Sequence, residues 1–176
     1  MTTERPLRVA SWPGYGATHN AFMRIFLDGL AGAGCTIDSL ESVEAVAAAM
    51  RDDPPDILLL HWAERVFGES RSRLQVLAKM RRLLAAVSGR RPGTRVVWLV
   101  HNLAPHDARR FQRLVWPPYV ARLSRRADAF LTLSPGTVAT VRAALPGLAG
   151  KPGLGLWHPA YPDAALSASD RAAARA

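Results

Sequence analysis

Two histidines and an aspartate follow an apolar run near the middle of the chain. In the sequence VVWLVHNLAPHD, residues 96–107, His101 and Asn102 come directly after a predicted buried strand, and His106 and Asp107 follow about one turn later. An imidazole changes protonation near neutral pH, and burial can raise the pKa of a carboxylate towards the same range. The stretch therefore predicts proton transfer to or from a polar, hydroxyl-rich or phosphorylated ligand.

The remaining histidines also lie after predicted strands. His19 is in the loop after the first strand, His61 directly follows the third, and His158 follows the last. The carboxyl ends of parallel strands meet at one edge of a sheet, which is where such folds bind ligands. We therefore expect the histidines to share one edge, although a single one could equally be a structural residue bonded to a backbone carbonyl.

Other chemistries are less well supported by the spacing. No histidine pair forms a compact ligand motif such as HxH or HExxH, and no serine or cysteine stands in a GxSxG elbow. We expect no metal, no catalytic triad and no bound cofactor. The sequence PGYG, residues 13–16, matches neither GxGxxG nor a P-loop, so that a flexible turn is favoured over a phosphate cradle.

The elements that position these residues alternate regularly. Short apolar runs predict strands, and the segments between them have helical periodicity. The predicted strands are residues 7–12, 36–40, 56–60, 95–100, 128–134 and 153–159. Uniformly apolar strands alternating with helices predict a doubly wound parallel α/β sheet of the Rossmann-like class. In the common order 3-2-1-4-5-6, strands 1 and 4 would be neighbours, with the ligand crevice at their carboxyl ends.

Two predicted helical segments are rich in arginine. In residues 73–87 the spacing places Leu77, Met80, Leu84 and Val87 on one apolar face. In the arginine-rich segment that follows His106, Pro117 and Pro118 are expected to interrupt the helix. The flanking aromatic residues, Trp116 and Tyr119, are then expected to be exposed beside arginines, as at a bilayer interface. The alternative is a solvated charged face with Trp116 packed inside. The basic residues assigned to these outward faces are Arg71, Arg73, Lys79, Arg81, Arg82, Arg109, Arg110, Arg113, Arg122, Arg125 and Arg126.

Composition limits the class of protein and of partner. The 176 residues suffice for one domain, and a single cysteine, Cys35, excludes an internal disulfide and fits a reducing compartment. The N-terminus has no secretory signal, so we expect a cytoplasmic protein that contacts the inner face of the plasma membrane. The net charge of +9 suits nucleic acid, anionic lipid or phosphorylated substrates. We expect no nucleic acid partner, because no aromatic residues alternate with basic ones on a predicted sheet face.

Several motifs together resemble one enzyme family. HNLAPHD is similar to the His-Asn-x-x-Pro-His-Glu signature after the fourth strand in bacterial GT-B glycosyltransferases of the exopolysaccharide and lipid-linked oligosaccharide type. DILLLHWAE resembles their Asp-hydrophobic-His-Trp-Pro-Glu stretch, and DAFLTLS and HPAY resemble a later strand and the turn before their interdomain linker. The segment beginning HNAFMRIF resembles their first helix. Ala21 and Ala63 stand where the family has proline, and Asp107 stands in place of glutamate.

The resemblance implies the N-terminal, acceptor-side half of a GT-B fold. It implies that residues 1–162 form the acceptor-side domain and residues 163–176 begin the linker or a C-terminal tail. A donor-binding domain, supplied by a longer chain or a partner subunit, would hold the nucleotide sugar, and the isolated 176-residue chain is expected to be inactive. The acceptor would be a saccharide or a lipid-linked saccharide.

The resemblance and the residue chemistry together give a set of candidate site residues. The candidate catalytic residues are His101, Asp107 and Glu64. The candidate substrate-binding residues are Gly14, Tyr15, Gly16, His19, Asn20, His61, Trp62, Asn102, His106 and His158. Trp62 and Trp12 are stacking candidates, although core packing is the more common role of such residues. The alternative function is a non-catalytic subunit or binding module of the same fold that recruits a catalytic chain to the membrane.

Overall fold

Six parallel strands form a single sheet in the computed structural model, which describes residues 5–17, 21–106 and 108–158. The strands are β1 (Arg8–Trp12), β2 (Thr36–Ser39), β3 (Ile57–Leu60), β4 (Arg95–Leu99), β5 (Ala129–Thr132) and β6 (Gly153–Gly155). The predicted Rossmann-like α/β class is confirmed. His19, Asn20, Asp107 and the predicted tail at 163–176 lie outside the described residues.

The strand order differs from the common order 3-2-1-4-5-6. The observed order is β2-β1-β3-β4-β5-β6, so that β3 lies between β1 and β4. After β2 the chain crosses back over β1 and adds the later strands on the other side of β1. The order therefore reverses between β1 and β3, and the crevice expected between strands 1 and 4 is replaced by the carboxyl ends of β1, β3 and β4.

Helices cover both faces of the sheet. The helices are α1 (Ala21–Gly32), α2 (Val43–Asp52), α3 (Arg65–Gly68), α4 (Arg73–Ser88), α5 (Arg110–Arg126) and α6 (Thr137–Ala144). Leu58 and Trp98 belong to the core under α2, α4 and α5, whereas Leu59 and Leu99 pack with α1 residues on the opposite face. Because successive side chains of a strand point to opposite faces, burial of both faces explains the unbroken apolar runs.

The buried face of α4 is rotated relative to the predicted one. Val76, Met80, Leu83 and Val87 are buried, whereas Leu77 is 39% exposed. The buried positions follow the i, i+4, i+7, i+11 spacing of a helix that packs along its length. The prediction was correct for the element and for two of its four core positions.

Helix α5 is continuous through both prolines, which corrects the predicted interruption. Pro117 and Pro118 lie inside the helix with exposed side chains. Proline removes a backbone donor, so the carbonyls of Arg113 and Leu114, four residues earlier, lose their helical partner. Both residues are exposed, so water can hydrate these carbonyls. Trp116 and Tyr119 are 4% and 3% exposed and pack in the core. The prediction that these two rings are exposed at a membrane interface is therefore wrong.

Aspartates stabilise the amino-terminal edge of the sheet. Asp56, just before β3, accepts hydrogen bonds from the Arg8 main-chain nitrogen at 2.8 Å and from Arg5 Nη1 at 2.8 Å. Asp128, just before β5, accepts from the Val96 main-chain nitrogen at 2.8 Å and from Arg90 Nη2 at 2.8 Å. Each carboxylate thus joins a strand start to its neighbouring strand and to an arginine.

A lysine in the loop before β6 binds the final carbonyls of α5. Lys151 Nζ donates to the carbonyl oxygens of Ser124 at 3.1 Å and Arg125 at 2.8 Å, and also to the carbonyl of Ala127. The final carbonyls of a helix have no partner within the helix, and a cation there also interacts favourably with the helix dipole. Partial burial lowers the pKa of this amine.

Candidate functional site

Two imidazoles meet at the carboxyl ends of β3 and β4. His61 directly follows β3 and is fully buried, and His101 follows β4 and is partly buried. His61 Nδ1 lies 3.3 Å from His101 Nε2, which is within hydrogen-bond distance. We call these residues the histidine pair. The sequence predicted both histidines at this edge, and in the structure their side chains are in contact.

The surroundings of the histidine pair favour one arrangement of its protons. His61 Nε2 is buried and has no hydrogen-bond partner within the described residues. A buried donor without a partner is rarer than a buried acceptor without one, so the proton of His61 belongs on Nδ1. His61 then donates to His101 Nε2, and the proton of His101 is on Nδ1. In this arrangement Nδ1 is the hydrogen-bond donor of His101.

Aromatic rings surround His101 and keep it uncharged. The Trp62 ring stacks on the imidazole with centroids 4.0 Å apart and planes 17° apart, and Phe22 meets it edge-on at 5.4 Å. Burial lowers the pKa of His101 to about 3, with the charge of His158 as a smaller cause. Burial likewise lowers the pKa of His61 to about 3, with His101 as a smaller cause. Both imidazoles are therefore neutral at pH 7.

Trp62 holds its stacked position through an unusual backbone conformation. Its φ is +26°, which places a bulky residue in a region that such side chains rarely adopt. Strained backbone of this kind persists where surrounding contacts hold it, and it is found mainly at functional sites. Trp12, the other stacking candidate, is fully buried in the core and cannot contact a ligand.

A second group of polar side chains joins the two motifs of the sequence. Asn102 Nδ2 donates to Glu64 Oε1 at 2.7 Å, and Asn102 Oδ1 lies 3.0 Å from His106 Nε2. Since the amide oxygen of asparagine can only accept, His106 is the donor in that contact. We call these three residues the carboxylate chain. Glu64 is partly buried, and no hydrogen bond to its Oε2 is found among the described residues, so this oxygen can accept a proton from a ligand hydroxyl.

Two side chains of α5 contact the loops that carry the candidate site. Trp116 Nε1 donates to the carbonyl of Leu103 at 2.9 Å, and the Tyr119 hydroxyl lies 3.5 Å from the carbonyl of Ala63. Burial raises the pKa of Tyr119, so its hydroxyl keeps its proton as a donor. These aromatic residues thus support the loops after β4 and β3, a role that the sequence analysis missed. The signal for it was their helical spacing with Val120.

The glycine loop after β1 uses its backbone donors internally. The main-chain nitrogen of Tyr15 donates to Ser39 Oγ at 2.8 Å, and that of Gly16 donates to Glu41 Oε1 at 3.2 Å. A Cβ at Gly14 would lie 1.9 Å from Ser39 Oγ, so the close approach to β2 requires glycine there. A carboxylate therefore occupies the position that a phosphate would take in a cradle.

Two cavities flank the candidate site. His101 lines one of about 290 Å³ between the ends of β4 and β5, together with the hydroxyl-bearing residues Ser134, Thr137 and Thr140. His106 lines another of about 690 Å³ between the starts of α4 and α5. The smaller cavity is near the lower end of the ~300–1,000 Å³ range of small-molecule sites. His158 is exposed at the same edge, with its ring 5.2 Å from Phe22.

Metal ligands and membrane-crossing helices were each sought in the described part of the chain. Within residues 5–17, 21–106 and 108–158, no three histidine, cysteine or acidic side chains converge as metal ligands would. None of the described helices is both long enough and apolar enough to cross a bilayer.

Comparison with known proteins adds no family to this description. No protein-family model matches the sequence, and no curated protein sequence matches it significantly. The fold and the geometry of the site are therefore the basis of the functional argument.

Proposed function

We propose that this chain is the acceptor-binding half of a glycosyltransferase that moves a sugar from a nucleotide-sugar donor to a saccharide or lipid-linked acceptor. The observation that carries the proposal is the hydrogen bond of 2.7 Å between Asn102 and Glu64. It joins HNLAPHD to DILLLHWAE, the two motifs on which the resemblance to GT-B enzymes mainly rests. A carboxylate, an amide and imidazoles then face one ligand at the carboxyl edge of the sheet.

The proposed reaction assigns different work to Glu64 and His101. The Glu64 carboxylate takes the proton of the acceptor hydroxyl while the acceptor oxygen bonds to the anomeric carbon. The bond from that carbon to the donor phosphate breaks, and the nucleoside diphosphate leaves with the electron pair. His101 is neutral and donates from Nδ1, so it orients the acceptor and does not act as the base. Asp107, outside the described residues, remains a second candidate base.

The donor side belongs to a second domain in this proposal. A nucleotide-binding domain, in a longer chain or a partner subunit, would hold the nucleotide sugar over the site. The main-chain nitrogens of Gly14, Tyr15 and Gly16 would then contact the donor only after release from the Leu40 carbonyl, Ser39 and Glu41, respectively. The 176-residue chain should therefore bind acceptors and not turn over donors.

Ligand-observed NMR tests the proposal directly. The chain is titrated with a panel of saccharides and nucleotide sugars, and His101→Ala is compared with Arg95→Gln, a change at an exposed residue of the amino-terminal edge. We expect saccharide binding that weakens about 3- to 10-fold in His101→Ala, since a hydrogen bond contributes ~0.5–1.5 kcal/mol. Arg95→Gln should bind as the wild type. Turnover of a nucleotide sugar by the chain alone, or an unchanged affinity in His101→Ala, would contradict the proposal.

The second candidate function is a non-catalytic module that recruits a catalytic chain to the cytoplasmic face of the plasma membrane. It is favoured by the exposure of Leu74 and Leu114, 79% and 74%, in arginine-rich segments of α4 and α5. Apolar side chains among cations suit an anionic bilayer surface. Sedimentation with anionic vesicles tests it, because Leu74→Ser with Leu114→Ser should release the chain to the supernatant. Equal sedimentation of variant and wild type would contradict it.

A further inference from the structure

One cavity opens between the starts of α4 and α5. It measures about 690 Å³, and four of its lining residues are Arg71, Arg73, Arg109 and Arg110. We call it the arginine cavity. His106 of the carboxylate chain also lines it. Its described lining includes no aspartate or glutamate, so cations are concentrated there without an acidic partner in that part of the chain.

Ion pairs within the described residues distinguish these arginines from others of the chain. Elsewhere in the described chain, Arg8, Arg82 and Arg90 each bind a carboxylate. None of the ion pairs found among the described residues includes an arginine of this cavity. Like charges held around one space repel each other, and an anion bound between them would relieve that repulsion.

The geometry of the cavity suits an anion with several oxygens. Arg73 lies with its guanidinium carbon 5.5 Å from the centre of the Phe111 ring, which orients its planar group. Guanidinium groups form paired hydrogen bonds with phosphate oxygens, and they do so better than lysine ammonium groups. Helices α4 and α5, 16 and 17 residues long, both begin at the cavity, and their dipoles add partial positive charge.

A second arginine-lined cavity provides an internal contrast. It measures about 410 Å³ and is lined by Arg122, Arg125, Arg126, Leu84 and Ser88. We call it the rear cavity. It lies along the later turns of α4 and α5, where the helix dipoles oppose an anion. The rear cavity therefore has three guanidinium groups against four, but the helix dipoles there are less favourable for binding an anion.

We propose that the arginine cavity binds a phosphate or diphosphate group. Because His106 joins the cavity to Asn102 and Glu64, a ligand anchored there by its phosphate would extend its remaining part towards the proposed base. The acceptor would then be a phosphorylated or diphosphate-linked saccharide. This identification of the ligand as the acceptor rests on the proposed function, whereas binding of phosphate by the cavity does not.

Calorimetric titration of the folded chain with inorganic phosphate and pyrophosphate tests the cavity. We expect pyrophosphate to bind more tightly than phosphate, because two phosphate groups engage more of the arginines. Arg73→Gln with Arg110→Gln should weaken pyrophosphate binding at least about 10-fold, since a hydrogen bond to a charged group contributes ~1.5–3 kcal/mol. The matched control, Arg122→Gln with Arg125→Gln in the rear cavity, should stay within about 2-fold of the wild type. Thermal unfolding of both variants establishes that they are folded.

Two results would overturn the proposal. One is the absence of pyrophosphate binding by the wild type at low salt. The other is an equal loss of affinity in the two double variants, which would indicate a general charge effect. If pyrophosphate binds at the arginine cavity but no saccharide binds at His101, the phosphate site stands and the glycosyltransferase proposal fails.

Vesicles distinguish the source of the phosphate. Phosphatidylcholine vesicles with and without phosphatidic acid are sedimented with the wild type and both double variants. Binding to phosphatidic acid that is lost only with Arg73→Gln and Arg110→Gln supports the proposal with a lipid headgroup as ligand. Pyrophosphate binding without vesicle binding supports it with a soluble ligand. Vesicle binding that all variants retain, together with no pyrophosphate binding, would overturn it.

Discussion

The two edges of the sheet hold acidic side chains in different ways. At the amino-terminal edge, Asp56 and Asp128 each bind an arginine and a main-chain nitrogen of the neighbouring strand. At the carboxyl edge, Glu64 accepts from the neutral amide of Asn102, and the histidine pair is buried without a counter-charge among the described residues. The first arrangement satisfies its charges and stabilises the fold. The second leaves bonding capacity for a ligand, as functional sites commonly do at a cost in stability.

The largest expected effect of a single substitution comes from removing the support beneath the carboxyl edge. Trp116→Ala deletes a buried ring and its hydrogen bond to Leu103. It should lower the free energy of unfolding, measured in urea, by about 3–5 kcal/mol. Leu114→Ala, two residues earlier and 74% exposed, is the control and should change it by less than about 0.5 kcal/mol. Similar losses in both variants would mean that α5 does not support the site loops through Trp116.

The second prediction distinguishes the two edges of the sheet by how the free energy of unfolding depends on pH. The pKa of each imidazole of the histidine pair is lowered to about 3 by burial, from about 6.5 when unfolded. Between these values the unfolded chain binds more protons than the folded one, so stability falls as the pH falls from 6.5 towards 3. The slope is up to about 1.4 kcal/mol per pH unit for each imidazole. Urea unfolding at pH 7.5, 6.5, 5.5 and 4.5 measures it.

The contribution of the amino-terminal edge to stability should change only at lower pH. The hydrogen bond from Arg5 lowers the pKa of Asp56, so its contribution is present above the unfolded value of about 4 and is lost below it. His61→Gln should flatten the stability profile between pH 6.5 and 4.5, whereas His106→Gln, at an exposed residue, should not. A wild-type profile that is flat down to pH 4.5 would contradict the burial of two neutral imidazoles.

The smallest effect compares one carboxylate from each edge. Asp128→Asn removes the ion pair with Arg90 and places an amide beside the Val96 nitrogen, so unfolding should become easier by about 1–3 kcal/mol. Glu64→Gln keeps an oxygen for Asn102 and should change stability by less than about 0.5 kcal/mol. Urea unfolding of the two variants under the same conditions measures both. If Glu64→Gln were the more destabilising change, the carboxyl edge would be a structural network like the amino-terminal one.

Local patterns were enough to predict the parallel sheet and the edge on which His61 and His101 lie. Unbroken apolar strands report burial on both faces, and His61 and His101 directly follow such strands. Strand order was not predictable, because it depends on long-range packing between strands that leaves no short sequence pattern. The contact between the imidazoles and the bond from Asn102 to Glu64 depend on that order, since β3 and β4 must be neighbours.

Helix α5 shows how one strong signal concealed another. Trp116, Tyr119, Val120 and Leu123 follow the i, i+3, i+4, i+7 spacing of a buried helix face. Two adjacent prolines ordinarily end a helix, and that rule was given more weight than the spacing. The packing of this face against the core outweighs the two missing backbone hydrogen bonds. The two prolines therefore led to the wrong prediction that the helix is interrupted. The supporting role of Trp116 and Tyr119 was missed for the same reason.

Lys151 has a consequence for shortening or redesigning this domain. A fragment that stopped at Ala144 would include all six described helices, yet the final carbonyls of α5 would lose the ammonium group that now binds them. The amine is supplied 25 residues after Arg126, from the turn that leads into β6. A fragment that keeps these bonds must therefore extend past the last helix to Lys151. Acetylation or amine-directed cross-linking at Lys151 should loosen α5 without cutting the chain.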